Sequence, residues 1–280
     1  MSTQTSEYLV ETDWLESNLD DANLRVIDCT VFLPNYFDES AGEHVEVEPG
    51  REDYEKGQIP GSAYVAPGED LSDPARPELM FAMPPAAQFV AVMSRLGVGP
   101  GTRVWWMLRA FGFEEAAVLN GGWEKWSAEG RPVSDAGSSY PPAEFMAQWR
   151  PELIATKDEV LASIEDESTC LINALDADEF AGRGTVRYGR GGRIPSSVNV
   201  SFLEILDMES NTYLPLDELR SKFSDVGALE GKRVITYCGG GIAASSDAFV
   251  LTMLGAEDVA LYDGSMTEWA ADPELPLVMG

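Results

Sequence analysis

One run in the chain has residue types and spacing that point directly to chemistry: Tyr237-Cys238-Gly239-Gly240-Gly241-Ile242-Ala243-Ala244. A cysteine attacks through its thiolate, and a free thiol with a pKa of about 8.5 needs help to ionise at neutral pH. Three successive glycines let neighbouring backbone N–H groups converge on one point, and such a nest attracts an anion. Before the run stands Val234-Ile235-Thr236-Tyr237, β-branched and aromatic as central strands are. After it, Ala243 to Leu254 reads as a helix ended by Gly255. The loop is therefore predicted to be a strand-to-helix turn, where open α/β sheets place their ligands and a helix N-terminus adds positive potential. Cys238 is the expected nucleophile. Gly239, Gly240, Gly241, Ile242, Ala243 and Ala244 are its expected anion cradle.

Other chemistries fit less well. The chain has one histidine, His44, in an acidic and irregular stretch, so a Cys–His pair is not expected and activation falls to backbone dipoles and arginine. The remaining cysteines, Cys29 and Cys170, lie in or beside apolar strand segments and read as core filling. Three cysteines without a Cys-x-x-Cys spacing suggest neither a disulfide framework nor a metal site, and no cofactor motif is present. The glycine run lacks the Lys-Ser/Thr ending of a P-loop and the GxGxxG spacing. Phosphatase chemistry of the Cys-x5-Arg type needs an arginine six positions after the cysteine, where this chain has Ala244.

The elements that must hold the loop emerge from an internal repeat. Val26-Ile27-Asp28 and Leu171-Ile172-Asn173 are apolar runs with a polar end, as parallel strands have at a sheet edge. Gly57-Gln58-Ile59-Pro60 and Gly192-Arg193-Ile194-Pro195 then mark turns into further strands. Helical periodicity follows over Ala86 to Leu96 and Pro215 to Phe223. Each half closes with a strand, a glycine turn and tryptophan, at Ala117 to Trp126 and at Val259 to Trp269. This alternation predicts an α/β fold with mainly parallel sheets. The expected domains are 1–133 and 151–280, joined by a linker over 134–150 within a stretch rich in proline, serine and glycine.

The repeat has a gap. Val104 to Gly112 is eight positions and Val234 to Gly255 is twenty-one, so the first half is thirteen residues shorter there. The missing part corresponds to Ile235 through Asp247: strand end, cysteine loop and first helical turn. Residues 103–108 must then serve as strand or as helix. A helix from about Val104 to Phe111 is expected, leaving the first sheet one central strand short.

With 48 acidic and 19 basic residues the formal charge is -29, which repels nucleic-acid phosphates and anionic lipid. The acidity suits either a soluble, self-repelling surface or life in high salt; only five of the basic residues are lysines. The first residues show no signal-peptide pattern and no apolar run reaches spanning length, so a cytoplasmic protein binding neither nucleic acid nor membrane is expected.

These markers resemble the tandem-domain rhodaneses, the thiosulfate and 3-mercaptopyruvate sulfurtransferases, over nearly the whole chain. The resemblance rests on Gly-x-Ile-Pro in both halves, on the Cys238–Ala243 loop, and on Asp263, Gly264, Glu268 and Trp269. It implies two small α/β domains, the second catalytic, with the substrate in the cleft between them. It further implies sulfur transfer through a Cys238 persulfide, from a small-molecule donor (3-mercaptopyruvate or thiosulfate) to cyanide or a thiol acceptor, either a small thiol or a thioredoxin-like protein. Arginines before the second Gly-x-Ile-Pro commonly hold the donor's anionic group in that family, making Arg183, Arg187 and Arg190 candidates, Arg190 foremost by its distance from Ile194. The chain departs from the family at Gln58 and Arg193, where histidine is usual, and at Asn173, where aspartate is usual. Its neutral loop is nearer the mercaptopyruvate type. A non-catalytic persulfide carrier or interaction module is the alternative.

Overall fold

The computed structural model describes residues 7–35, 46–79, 81–96, 102–138, 140–141, 143–183 and 186–280; His44 lies outside them. The first half has six short strands: β1 (Leu9–Val10), β2 (Ile27–Asp28), β3 (Val31–Phe32), β4 (Glu48–Pro49), β5 (Ala63–Tyr64) and β6 (Val118–Leu119). The second has β7 (Ile154–Ala155), β8 (Thr169–Asn173), β9 (Val198–Asn199), β10 (Leu206–Asp207), β11 (Thr212–Tyr213), β12 (Arg233–Tyr237) and β13 (Val259–Tyr262). Five of these form one sheet in the order β7-β13-β12-β8-β9, every neighbouring pair parallel. At its centre β12 places Val234 opposite Cys170 on one side and Val259 on the other. Its residues Val234, Ile235, Thr236 and Tyr237 are fully buried, as a strand covered on both faces by helices requires.

In the first half, β2 pairs with β5 and β1 with β6, both parallel, and among the described residues no strand joins the two pairs. They match β8–β9 and β7–β13, so the place of β12 is left open, as the thirteen-residue gap predicts. Residues 102–110 form a helix. Its side chains Val104, Trp105, Trp106, Met107 and Leu108 are all essentially buried, which a strand with one covered face could not achieve. The helix packs between the halves. Trp105 meets Phe249 edge-on at 4.8 Å between ring centroids, and the Trp106 indole N–H donates to the Leu153 carbonyl at 3.2 Å. One apolar cluster therefore runs from Ile27 through Trp105 and Phe249 to Tyr262.

The proline-rich segment after Arg131 is tied to the first half. The Gln58 N–H donates to the Ser134 carbonyl, Gln148 N–H to Phe111 and Arg150 N–H to Ala110, at 2.8–2.9 Å. It lies along that half as a strap.

Candidate active site

The Gly-x-Ile-Pro turn of the second half anchors the strand that carries the cysteine. Ile194 is fully buried and its N–H donates to the Tyr237 hydroxyl at 3.1 Å; the Ser197 hydroxyl shares that same phenol at 2.8 Å. Gly192 has φ +106°, and a β-carbon there would meet the Val278 carbonyl, so only glycine fits. Arg193, in the histidine position of the family, turns outward to stack on Phe180 and donate to the Gly280 carbonyl at 2.7 Å.

Tyr237 ends β12 and Cys238 begins the turn. Gly241, at φ +87°, caps the helix Ile242–Met253 and points its N–H at the Cys238 sulfur, 3.1 Å away. One N–H of the glycine run is thus aimed at the thiol itself. The turn is bolted to the helix Ser265–Ala271. The Cys238 N–H donates to Ser265 Oγ at 3.1 Å, the Met266 N–H to the Cys238 carbonyl at 3.0 Å, and both the N–H and the hydroxyl of Thr267 to the Gly239 carbonyl. Ser265 sits at φ +46°, a strained angle that these bonds stabilise. Asp247, one turn further along the Ile242–Met253 helix from Ala243, is completely buried, and burial pushes its carboxyl well above the usual carboxylate range.

Two residues that sequence reasoning passed over complete the site. The Tyr188 phenol packs on Gly239 where any β-carbon would stand. Burial, then Glu179 and Cys238 nearby, push its hydroxyl pKa up, so it remains a neutral donor. Arg103, at the start of the buried helix 102–110, crosses from the first half. It donates to the Gly241 carbonyl at 3.4 Å and to Phe81 O at 2.5 Å, and pairs with the Asp263 carboxylate. Both partners of this ion pair are buried, and the second Asp263 oxygen accepts the Met83 N–H at 2.7 Å. In the sequence Arg103 stands out only as the first residue of the segment 103–108; its reach across the interface has no local sequence signal.

The three candidate arginines have different surroundings. Arg190 is committed: its guanidinium donates to the carbonyls of Trp269, Ala270, Asp272 and Leu275 at 2.6–3.3 Å, clasping the chain end. Four carbonyls take its donors, and its side chain also lines a small cavity together with Arg183 and Arg187. Arg183 is exposed and pairs with Asp178 at 2.6 Å. Arg187 is buried beside Glu179 and lines a small cavity with Tyr188 and Met266, on the side of the loop.

The cleft between the halves holds a cavity of about 600 Å³ lined by Arg76, Met83, Phe111, Lys157, Asp263 and Glu268 among others. Cys238 does not line it. The thiol is 3% exposed beneath Tyr188 and the Ser265–Ala271 helix. The residues gathered here can hold a thiolate, and any negative sulfur bonded to it, against oriented N–H groups in a water-poor setting.

The sequence matches the model of the rhodanese-like domain twice, over residues 11–129 and 156–272. A thiosulfate/3-mercaptopyruvate sulfurtransferase of Arabidopsis thaliana is 31% identical over 99% of this chain and 79% of its own length. A sulfur carrier protein of Thermus thermophilus is 29% identical over 98% of this chain and 97% of its own length. The solved 3-mercaptopyruvate sulfotransferase of Escherichia coli aligns with a TM-score of 0.79 at 28% identity, covering 93% of this chain and 99% of that one. Among the described residues no helix is long and apolar enough to cross a membrane.

Proposed function

The chain belongs to the rhodanese-like family and is a sulfurtransferase, and on that premise we propose that Cys238 is its sulfur-carrying nucleophile. The carrying observation is the Gly241 N–H directed at the Cys238 sulfur from the start of a twelve-residue helix. The Cys238 thiolate attacks the transferable sulfur of the donor and a sulfur–sulfur bond forms. The carbon–sulfur bond of 3-mercaptopyruvate breaks with its electron pair going to the pyruvate enolate, which takes up the thiol's proton, or the sulfur–sulfur bond of thiosulfate breaks to release sulfite. The acceptor thiolate or cyanide then attacks the outer sulfur of the persulfide and releases the Cys238 thiolate. The N–H groups of Gly239 to Ala244 steady the negative sulfur in both states.

The favoured donor is 3-mercaptopyruvate or a similar carboxylate. Gly239-Gly240-Gly241 offers no side-chain cation to a dianion, and Arg187 is the arginine best placed for a carboxylate. Units of 1–133 and 151–280 joined through 134–150, a thiol acceptor and a cytoplasmic setting that keeps the three free cysteines reduced belong to the same reading.

Steady-state assays with 3-mercaptopyruvate and with thiosulfate, cyanide as acceptor, test it. Cys238→Ser is expected to abolish turnover, and 3-mercaptopyruvate to exceed thiosulfate about tenfold or more in kcat/KM. Activity retained by the serine variant would falsify the mechanism; a thiosulfate preference would overturn the donor. The 3% exposure of Cys238 and the carrier relative favour one second reading, a persulfide carrier. One equivalent of persulfide formed without turnover would select it.

A further inference from the structure

The place that β12 fills in the second half is open in the first, and its two walls are unfinished sheet edges. Parallel strands bond through alternate residues. In β2 the carbonyls of Val26 and Asp28 accept from Ala63 and Val65 on β5, so the N–H and C=O of Ile27 face the other way. In β6 the N–H groups of Val118 and Asn120 donate to Tyr8 and Val10 beside β1, which turns Leu119 outward in the same manner. Between these edges lies a cavity of about 1140 Å³, lined by residues 26–30 on one side and 116–119 on the other. One extended strand of five residues is roughly 17 Å long, 4.8 Å from each neighbour and 10 Å deep, on the order of 800 Å³. The cavity volume is therefore of the size that one strand with its side chains needs.

Its rim carries a chemical bias. Trp14 and Met146, 46% and 79% exposed, line it and offer apolar contact. Glu7 and Glu115, just before β1 and β6, together with Asp28 and Glu144, make it acidic. Glu114 is neutralised by Arg150 at 2.5 Å, and Arg25 is turned to the Ala22 and Leu24 carbonyls. In the filled half two acids are answered by the inserted strand: Arg233, at the start of β12, pairs with Glu159 and with Asp258, the residue before β13. Of these two acids the open half keeps the second, as Glu115, while Trp14 stands at the helix position of Glu159, and among the described residues no inserted strand brings an arginine.

We infer that this slot accepts an extended segment of another protein, cationic at its N-terminal end and β-branched or apolar after it, inserted parallel to β2 and β6. A second copy of this chain is the poorer occupant because each copy carries a charge of -29. Nothing in the inference depends on the role of Cys238.

The probe is the chain's own central strand as a labelled peptide, acetyl-Lys-Arg-Val-Ile-Thr-Tyr-amide, the sequence of residues 232–237. Polarisation titrations against the full-length protein are expected to saturate with a Kd of about 10–100 μM. Hydrogen exchange at Ile27 and Leu119 is expected to slow on saturation. Replacing Lys-Arg by Glu-Glu in the peptide, N-methylating its alternate amides, or introducing Ile27→Pro should each weaken binding about tenfold, the scale of a lost charged contact or ladder bond. Should Ile27→Pro fail to fold, the methylated peptide carries the same test on the unaltered protein. No saturable binding, binding indifferent to methylation, or protection away from the two edges overturns the inference. Protection of both edges by concentration-dependent dimerisation without peptide also overturns it, in favour of a second copy.

Discussion

Gly239 lacks a side chain because Tyr188 occupies the space where one would begin. Gly239→Ala must therefore displace either the phenol or the loop, and overpacking of this kind costs about 1–3 kcal/mol. Activity of Gly239→Ala is expected to fall about tenfold or more, and Tyr188→Ala to restore part of it, with a coupling of about 1–2 kcal/mol in a double-mutant cycle. Strictly additive effects on kcat/KM would show that the two residues do not meet. The residue scale is also where sequence was most and least informative. Cys238 is legible because its cradle is its immediate neighbours. Tyr188 stands fifty positions upstream and Arg103 in the other half, so only folding brings them to the loop. The surroundings of Arg190 were hidden for the same reason: spacing to Ile194 says nothing of the carbonyls of Trp269 to Leu275 that take its donors.

At the scale of elements, the helix 102–110 acts as an interdomain peg with Arg103 at its tip. Removing one partner of a buried ion pair strands the other, at a cost of about 3–5 kcal/mol. Arg103→Met should thus lower the melting temperature by several degrees or more and reduce turnover, with Asp263→Asn in the same chain recovering part of the stability. A variant as stable as the parent would mean that the bond to the Met83 N–H alone satisfies Asp263. Helices were the most legible elements: the period over Ala86 to Leu96 matches the observed helix. The edge strands β1 and β7 were not legible, since two residues are too few to show an alternation. The gap in the repeat was read from counting alone, because loss of thirteen residues must delete an element that the other half retains.

Over the whole molecule the charge of -29 comes from 48 acidic against 19 basic residues, so acids outnumber cations more than two to one. Screening shortens the reach of that repulsion from about 8 Å at physiological ionic strength to about 3 Å at 1 M salt. The melting temperature is therefore expected to rise between 0.1 and 2 M potassium chloride, roughly levelling off once screening is complete. A flat profile in thermal denaturation would remove self-repulsion as a significant cost, and with it the salt-adapted reading of the acidic surface. The clasp of Arg103 on the Gly241 carbonyl has a consequence for how the two halves can change over time. Duplicated units usually drift apart freely once one of them gives up the chemistry. Here the unit that lost its own loop supplies part of the frame for its sibling's. A substitution harmless to the packing of the first half is still felt at the cysteine loop of the second, so inheritance constrains the copy without that loop through the copy that has it.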